Sequence, residues 1–426
     1  MAEIQEQVIH LSPAKRALLD RLMAQQGVTL AEEMVLPRTI PGDRFPATHG
    51  QRRLWFLRQI DGDDPVYNLP LAVRISGDLR ADMLEGALQE CIRRHESLRT
   101  IFLDENGEPM QVVLPCIVFS LEGQDVSTLP DGDRTDRIRR SGEEFVARRF
   151  DLELGPLIRG LLIRSGEDEH VLVLCVHHII ADGWSMGILL EDVIAAYSAL
   201  RNGTPLSLPP PRLHYADYAL WQAARAADLG MATDREFWRD RLQALPPALE
   251  WGTGHPRPSI MHSRGIDGSF DVPAAVHEGL RRIARDQGAT MFMVLLAALH
   301  VCLSRITGTQ DIPIGTPVAN RARPEIERII GFFVNTIVLR CGGPRGSTFV
   351  EFLRRVRDTT LDAFAHQAHP FEAIVEDVSP ARSLSHTPLF QVMFALQNVP
   401  RRSVSLAPLV FEEIHLSRGT SMFDLT

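Results

Sequence analysis

Val176-His177-His178-Ile179-Ile180-Ala181-Asp182-Gly183-Trp184-Ser185 joins two patterns of opposite kind. To its left, residues 171–176 form a continuous apolar run, as expected for a strand buried on both faces. To its right, Met186, Leu189, Leu190, Val193, Ile194 and Tyr197 recur at helical spacing. Asp182, Gly183 and Ser185 suit a turn and a helix N-cap. Two histidines therefore sit where a buried strand gives way to a helix. The backbone N–H groups of a helix start favour negative charge at that point.

Length and composition bound the rest. At 426 residues the chain is too long for one ordinary core, so two lobes are expected. Hydrophobic residues make up 45% and charged residues 23%, as in soluble globular proteins. The net charge is −9 and no long basic block occurs, which argues against nucleic acid as the main partner. Cys91, Cys116, Cys175, Cys302 and Cys341 are widely spaced, and an odd count resists a full disulfide framework. A reducing cytoplasm fits that usage, and no metal site is expected. Residues 1–10 are polar and acidic, unlike a signal peptide, and no apolar stretch reaches membrane-spanning length.

Outward from the histidines, the pattern predicts two successive α/β halves. Ser12-Pro13 starts a helix that Gly27 can end, and residues 1–43 read as helix and linker. The first half, 44–230, is expected to hold a helix after Thr48, a strand at 69–75 and a helix at 81–94. A strand at 111–119 follows, with Pro115 at an edge or bulge, then a helix at 138–150. A strand at 156–163 should pair as a hairpin with the run before His177. Residues 231–250 read as a crossover helix. The second half, 251–426, is expected to hold strands at 268–272, 311–317 and 390–396 and helices at 276–287 and 290–306.

Seven segments in order resemble the motifs of nonribosomal peptide synthetase condensation domains. They are Thr48-His49-Gly50-Gln51-Arg52-Arg53-Leu54-Trp55-Phe56-Leu57, Arg94-His95-Glu96-Ser97-Leu98-Arg99, the His-His-x-x-x-Asp-Gly run, and Tyr215-Ala216-Asp217-Tyr218-Ala219-Leu220-Trp221. Ile330-Gly331-Phe332-Phe333-Val334-Asn335-Thr336, His366-Gln367-Ala368-His369-Pro370-Phe371-Glu372 and Arg382-Ser383-Leu384-Ser385-His386-Thr387-Pro388-Leu389 complete the set. The shorter His-x-x-x-Asp-Gly is shared with chloramphenicol acetyltransferase and other acyltransferases. Thr48 and Gly50 depart conservatively from the family's Ser-x-Ala-Gln, and Ala368 stands in place of an Asp.

The resemblance implies an α/β fold of two chloramphenicol acetyltransferase-like lobes, a V-shaped pseudo-dimer with a central tunnel. It implies amide formation between a donor thioester and an acceptor amine, each on the phosphopantetheine arm of a carrier domain. An adenylation domain is an expected neighbour, no cofactor is held by the domain itself, and a monomer is expected. Carried onto this chain, His178 is the base or the group that holds the amine in line, and the Gly183 N–H faces the oxyanion. His177 and Asp182 are structural, with Arg321 or Arg340 as the ion-pair partner of Asp182. Trp184 and Ser185 pack the helix start beside the tunnel, and Asn335 lines the cleft. His95 and Glu96 belong to an ion-pair cluster at a helix end.

His177 in the first motif position excludes a heterocyclisation domain, which carries Asp there. The Gln51-Arg52-Arg53 and Gly331-Phe332-Phe333 segments look closest to the type that joins two L-residues. A starter domain, N-acylating from a fatty acyl-CoA, stays open if Met1 is the natural start. A non-catalytic module that recruits carriers is the alternative from another class. The final stretch, Ser421-Met422-Phe423-Asp424-Leu425-Thr426, looks like the start of a strand that the family continues, so an excerpt of a longer synthetase is expected.

Overall fold

The computed structural model describes residues 34–426 apart from 40, 62–64, 207, 226–229, 253–255, 379–382, 398–402 and 407–408. The helix expected from Ser12, and Arg382 of the last motif, lie outside the described residues. In chain order the first half gives β1 (Arg44–Pro46), α1 (His49–Asp61), β2 (Asn68–Ser76), α2 (Ala81–Arg94), β3 (Thr100–Glu105) and β4 (Glu108–Val113). Then come β5 (Leu121–Asp125), α3 (Asp131–Val146), β6 (Ile158–Arg164), β7 (Glu169–His177), α4 (Gly183–Asn202) and α5 (Tyr215–Ala224). Beyond them lie α6 (Gly230–Leu242), α7 (Ala274–Asp286), α8 (Met291–Thr307), β8 (Ile314–Val318) and β9 (Asn335–Leu339). The last are α9 (Phe349–Ala365), α10 (Phe371–Val378), β10 (Val392–Met393), β11 (Ser403–Leu406) and β12 (Leu409–Ile414).

β7 is the spine of the larger sheet, whose order is β11-β12-β2-β7-β6-β5. Every residue of β7 after Glu169 is buried, which explains its unbroken apolar run. It pairs antiparallel with β2 on one side and, as the expected hairpin, with β6 on the other. Leu84, Leu88, Phe145, Leu189, Val193 and Tyr197 from α2, α3 and α4 pack with Val73, Ile75, Val173 and Leu174 in one core. Full burial of each such side chain contributes about 1.5–3 kcal/mol.

A second core forms around β8, β9 and β10, with Val294, Leu296, Ile314, Ile337, Phe352 and Phe390 buried. Trp238 of α6 is fully buried there, and its Nε1 donates to His366 O at 3.0 Å. A smaller cluster holds Val35, Leu213, Tyr215 and Tyr218 against Ile326, Ile329 and Phe333. That cluster joins the two halves beside the histidine motif.

Several expectations from local pattern fail for physical reasons. β12 pairs antiparallel with β2 (Val410 opposite Ser76, Ile414 opposite Ala72), so a segment from beyond residue 251 completes the first half's sheet. Leu409 and Phe411 are buried in the first core. No strand forms at 268–272: Phe270 is 89% exposed, and a lone alternating run has no sheet to join. The strand expected at 111–119 ends at Val113, two residues before Pro115, which has no N–H to give a ladder. The helix expected at 138–150 runs over Asp131–Val146, and the strand at 390–396 shrinks to Val392–Met393. The final stretch lies beside β10, where Met393 N–H donates to Leu425 O at 2.9 Å.

Candidate active site

β7 ends at His177, a short 3-10 turn covers His178–Ile180, and Asp182 caps α4. The two histidines part company in that turn. His177 is buried, its Nδ1 accepts the Ile179 N–H at 3.2 Å, and the rings of Tyr67 and Phe150 stand 6.3 and 6.0 Å away. Burial, followed by His178, Arg58 and Arg159, pushes its pKa down to about 3, so it stays neutral. His178 is half-buried, and its Nδ1 lies 2.8 Å from Ala181 O. A carbonyl only accepts, so Nδ1 carries the proton and Nε2 presents a lone pair. Among the described residues no hydrogen bond takes Nε2. Burial lowers the His178 pKa, while Asp182 and the bond to Ala181 oppose the shift. The Phe332 ring meets the imidazole edge-on, with centroids 4.9 Å apart and planes at 71°.

Next to His178, the Gly183 and Trp184 N–H groups open α4 and have no intrahelical acceptor. The space in front of Gly183 is open: a Cβ built there would meet nothing within 4 Å. A half-buried imidazole and the donors of a helix start thus lie five residues apart, on either side of one turn. That pairing suits a reaction which removes a proton while negative charge grows on an oxygen.

Asp182 ties the halves together. Its Oδ1 accepts the Ser185 N–H at 2.8 Å, and its Oδ2 accepts the Phe333 N–H at 3.1 Å. Arg321 Nη2 donates to both oxygens, at 3.1 and 3.3 Å. The Arg321 side chain is 2% exposed, donates through Nη1 to Ile326 O and Ile329 O, and lies over the Phe333 ring at 4.1 Å. Burial pulls its pKa down and Asp182 raises it. Arg340 is elsewhere: it pairs with Asp311 and donates to Gln243 O and Ala244 O at the end of α6.

Ser185 and Asn335 are both engaged by the protein itself. Ser185 is fully buried, with Oγ 2.7 Å from Asp182 Oδ1 and 2.9 Å from Gly331 O, so no surface of it is left for substrate. The Asn335 amide donates to Gln367 O and His369 O, and its Oδ1 accepts the Phe371 N–H. It fixes the 366–371 loop and is spent on backbone. Trp184 is 44% exposed, with Nε1 donating across the junction to Glu327 O at 3.0 Å. His95 binds Asp192 (Nε2 to Oδ2, 2.7 Å), which also takes Arg94 and Arg328. Glu96 pairs with Arg38 at 2.6 Å.

Two residues near the site stand out in the sequence only as motif members. Tyr215 donates from its hydroxyl to Phe332 O at 2.6 Å and packs so close to Gly331 that a Cβ there would lie 1.9 Å from Tyr215 Cδ2. Phe332 flanks His178. The Gly-Phe-Phe run was the available signal, since a glycine before paired aromatics often marks close backbone approach.

Residues 42–426 match the family described as "Condensation domain". A linear gramicidin synthase polypeptide from Brevibacillus parabrevis is 42% identical over 389 residues, 90% of this chain and 8% of that protein. The chain therefore spans a small part of that relative's length. The X-domain from teicoplanin biosynthesis, in its complex with OxyB, superposes with a TM-score of 0.78 at 27% identity, covering 92% of this chain and 84% of that one. The first condensation domain of the calcium-dependent antibiotic synthetase, in complex with a substrate analogue, gives a TM-score of 0.76 at 23% identity, covering 89% and 86%. The shared fold is α/β, with two chloramphenicol acetyltransferase-like lobes.

Proposed function

The chain belongs to the condensation-domain family, and on that premise we propose that it joins a thioester-bound acyl or peptidyl donor to the amine of an aminoacyl acceptor. Condensation domains catalyse amide formation, and those of nonribosomal peptide synthetases work with carrier-bound phosphopantetheine. Donor and acceptor carrier domains are the partners, an adenylation domain is adjacent, and the unit acts as a monomer in the cytoplasm. The observation that carries this reading is the His178 imidazole in the turn that leads into α4: Nδ1 is committed to Ala181 O, and Nε2, without a hydrogen bond among the described residues, is left with its lone pair.

The acceptor amine loses a proton to Nε2, or is held in line by it, as its nitrogen attacks the thioester carbonyl. The oxygen that gains charge faces the Gly183 N–H. The C–S bond then breaks, the thiolate leaves, and the C–N bond remains. His177, Asp182 and Arg321 keep this geometry without touching substrate.

The test is intact-mass detection of dipeptide from one loaded donor carrier and one loaded acceptor carrier, beside an acyl-CoA donor. Product from the carrier donor alone supports elongation. Product from acyl-CoA supports a starter domain. No product from either, with both carriers still bound, would return the chain to a recruiting role of the kind suggested by an X-domain in complex with OxyB.

A pH profile follows from the two imidazoles. His178 works unprotonated and burial lowers its pKa, so turnover should persist at pH 6.5, the ordinary histidine value, and fall only at lower pH. The folded His177 is held neutral down to about pH 3, whereas the unfolded chain protonates it near 6.5. The unfolded state then binds the extra proton, so stability is full above about 6.5 and declines as pH falls toward 3. Melting curves across that range, beside kcat, separate the two. A limb above 6.5 that disappears in His178→Ala would contradict the buried-imidazole assignment, whereas one that His178→Ala keeps belongs to the acceptor amine, an α-amino group that titrates at about 8.

A further inference from the structure

The segment that follows β12 carries a cation to the histidine turn. Antiparallel pairing sends the chain beyond Ile414 toward the end of β2 that holds Asn68, and Asn68 stands opposite His177. Leu416 packs against the first core, where a Cβ at Gly142 of α3 would lie 3.0 Å from Leu416 Cδ1. Gly419 O accepts the Gly265 N–H at 3.0 Å, and Ser421 N–H donates to Ser263 O at 2.7 Å. Arg418, between these anchors, lies where the first-half sheet meets the second half. It is exposed to solvent, yet enclosure by protein lowers its pKa, against Asp267 and Cys175. Burial raises the Cys175 pKa and lowers that of His178, and both groups feel Arg418 as a positive charge that pushes downward. Among the described residues Arg418 donates no hydrogen bond and forms no ion pair. Asp267, which acts on it at longer range, is itself exposed and lies 3.7 Å from His415 Nε2.

We propose that Arg418 is a specificity-determining residue of this site, whose guanidinium receives a carboxylate on the donor or acceptor side chain and disfavours an ammonium there. An enclosed charge costs free energy unless a hydrogen-bonded partner offsets it, and the described residues provide none. The surroundings favour an anion: α4 begins beside His178 with its positive end, and the Asp182 carboxylate is already committed to Arg321. A guanidinium matches a carboxylate in a planar, two-bonded fork. Arg418 makes no hydrogen bond to His178, and Asp182 and the bond to Ala181 act on that ring more strongly. Its charge therefore lies at the distance of a substituent on the substrate, not at the reacting atoms. The proposal rests on the amide-forming role given above and adds a class of substrate, an acyl or aminoacyl group with an acidic side chain.

The experiment loads the acceptor carrier with glutamyl, glutaminyl or lysyl groups against one fixed donor, then the donor carrier in the same way against one fixed acceptor. In one of the two arms kcat/KM of the wild type should follow Glu, then Gln, then Lys. Glu should exceed Gln by roughly tenfold or more, since a charge-assisted bond replaces a neutral one of the same shape. Arg418→Gln should bring the Glu-to-Gln ratio close to one. Arg418→Lys, which keeps the charge without the fork, should retain part of it. Arg418→Glu should turn the order toward Lys, and thermal melts confirm that each variant is folded. Arg418→Gln also removes a positive neighbour from His178 while Asp182 and His177 stay, so the acid limb should move to higher pH. Ratios near one in both arms of the wild type, or a ratio that persists in folded Arg418→Gln, would overturn the proposal. A moved limb without any side-chain preference would overturn it too, leaving Arg418 as a neighbour of the imidazole alone. If no pair of loaded carriers gives an amide, the amide-forming role is what fails. The affinities of glutamyl- and glutaminyl-loaded carriers, read by fluorescence polarisation in wild type and Arg418→Gln, then still decide whether Arg418 takes a carboxylate.

Discussion

Replacing His178 by alanine should lower amide formation by about 10²–10⁴-fold, the range that a positioned acid–base group supplies, and leave a folded protein. The fold is expected to survive because His178 makes little of it. Its ring is half-buried, and its hydrogen bond among the described residues goes to Ala181 within the same turn. Losing such a bond costs about 0.5–1.5 kcal/mol. The cap of α4 and the ion pair between the halves belong to Asp182, whose carboxylate does not depend on the imidazole. Single-turnover product formation with both carriers loaded, beside a thermal melt, measures the two effects separately. A folded variant with normal turnover would remove His178 from the reaction. A variant that is slow yet keeps the wild-type acid limb would leave the imidazole as a holder of the amine and place the titrating group elsewhere.

Local pattern made the junction legible because its chemistry is contiguous. An apolar run ending in His177, followed by Asp182 and a helical stripe, specifies a buried strand, a turn and a capped helix without help from distant residues. The same logic placed α8, whose Thr290 cap and apolar spacing are local. What local pattern could not supply is distance between segments. Arg321 and Arg340 were equal candidates for Asp182, because the choice depends on how the halves meet; only Arg321 reaches it. The return of residues 409–414 to β2 has no signature in either strand, since any exposed sheet edge offers the same ladder. Asn335 looked like a cleft residue by its motif, whereas its three hydrogen bonds serve the backbone at 367, 369 and 371. Phe332 shows the complementary limit. Its ring lies 4.9 Å from that of His178, a proximity that no spacing rule contains.

Asp182→Ala should cost stability before it costs chemistry. The carboxylate is 4% exposed and Arg321 is 2% exposed, so neither charge has water to fall back on. Removing one member of a buried ion pair typically destabilises by about 3–5 kcal/mol, because the other is left uncompensated. Here the stranded group is a guanidinium that would keep, among the described residues, the carbonyls of 326, 327 and 329, Ser185 Oγ and the face of Phe333. Loss of the α4 cap adds about 1 kcal/mol. The Phe333 N–H would also lose its acceptor, which loosens the segment that carries Phe332. Asp182→Asn keeps a capping oxygen but not the charge, so it should fall between wild type and alanine. Pairing Asp182→Ala with Arg321→Met removes both charges and should recover part of the stability, as apolar replacements of buried pairs often do. Urea unfolding midpoints for the four proteins, with turnover normalised to folded protein, decide the matter. Less soluble protein with modestly reduced turnover per folded molecule is the expected result for Asp182→Ala. A variant as stable as wild type but inactive would mean that Asp182 acts on the reacting groups directly, against a geometry that commits its oxygens to Arg321, Ser185 and Phe333.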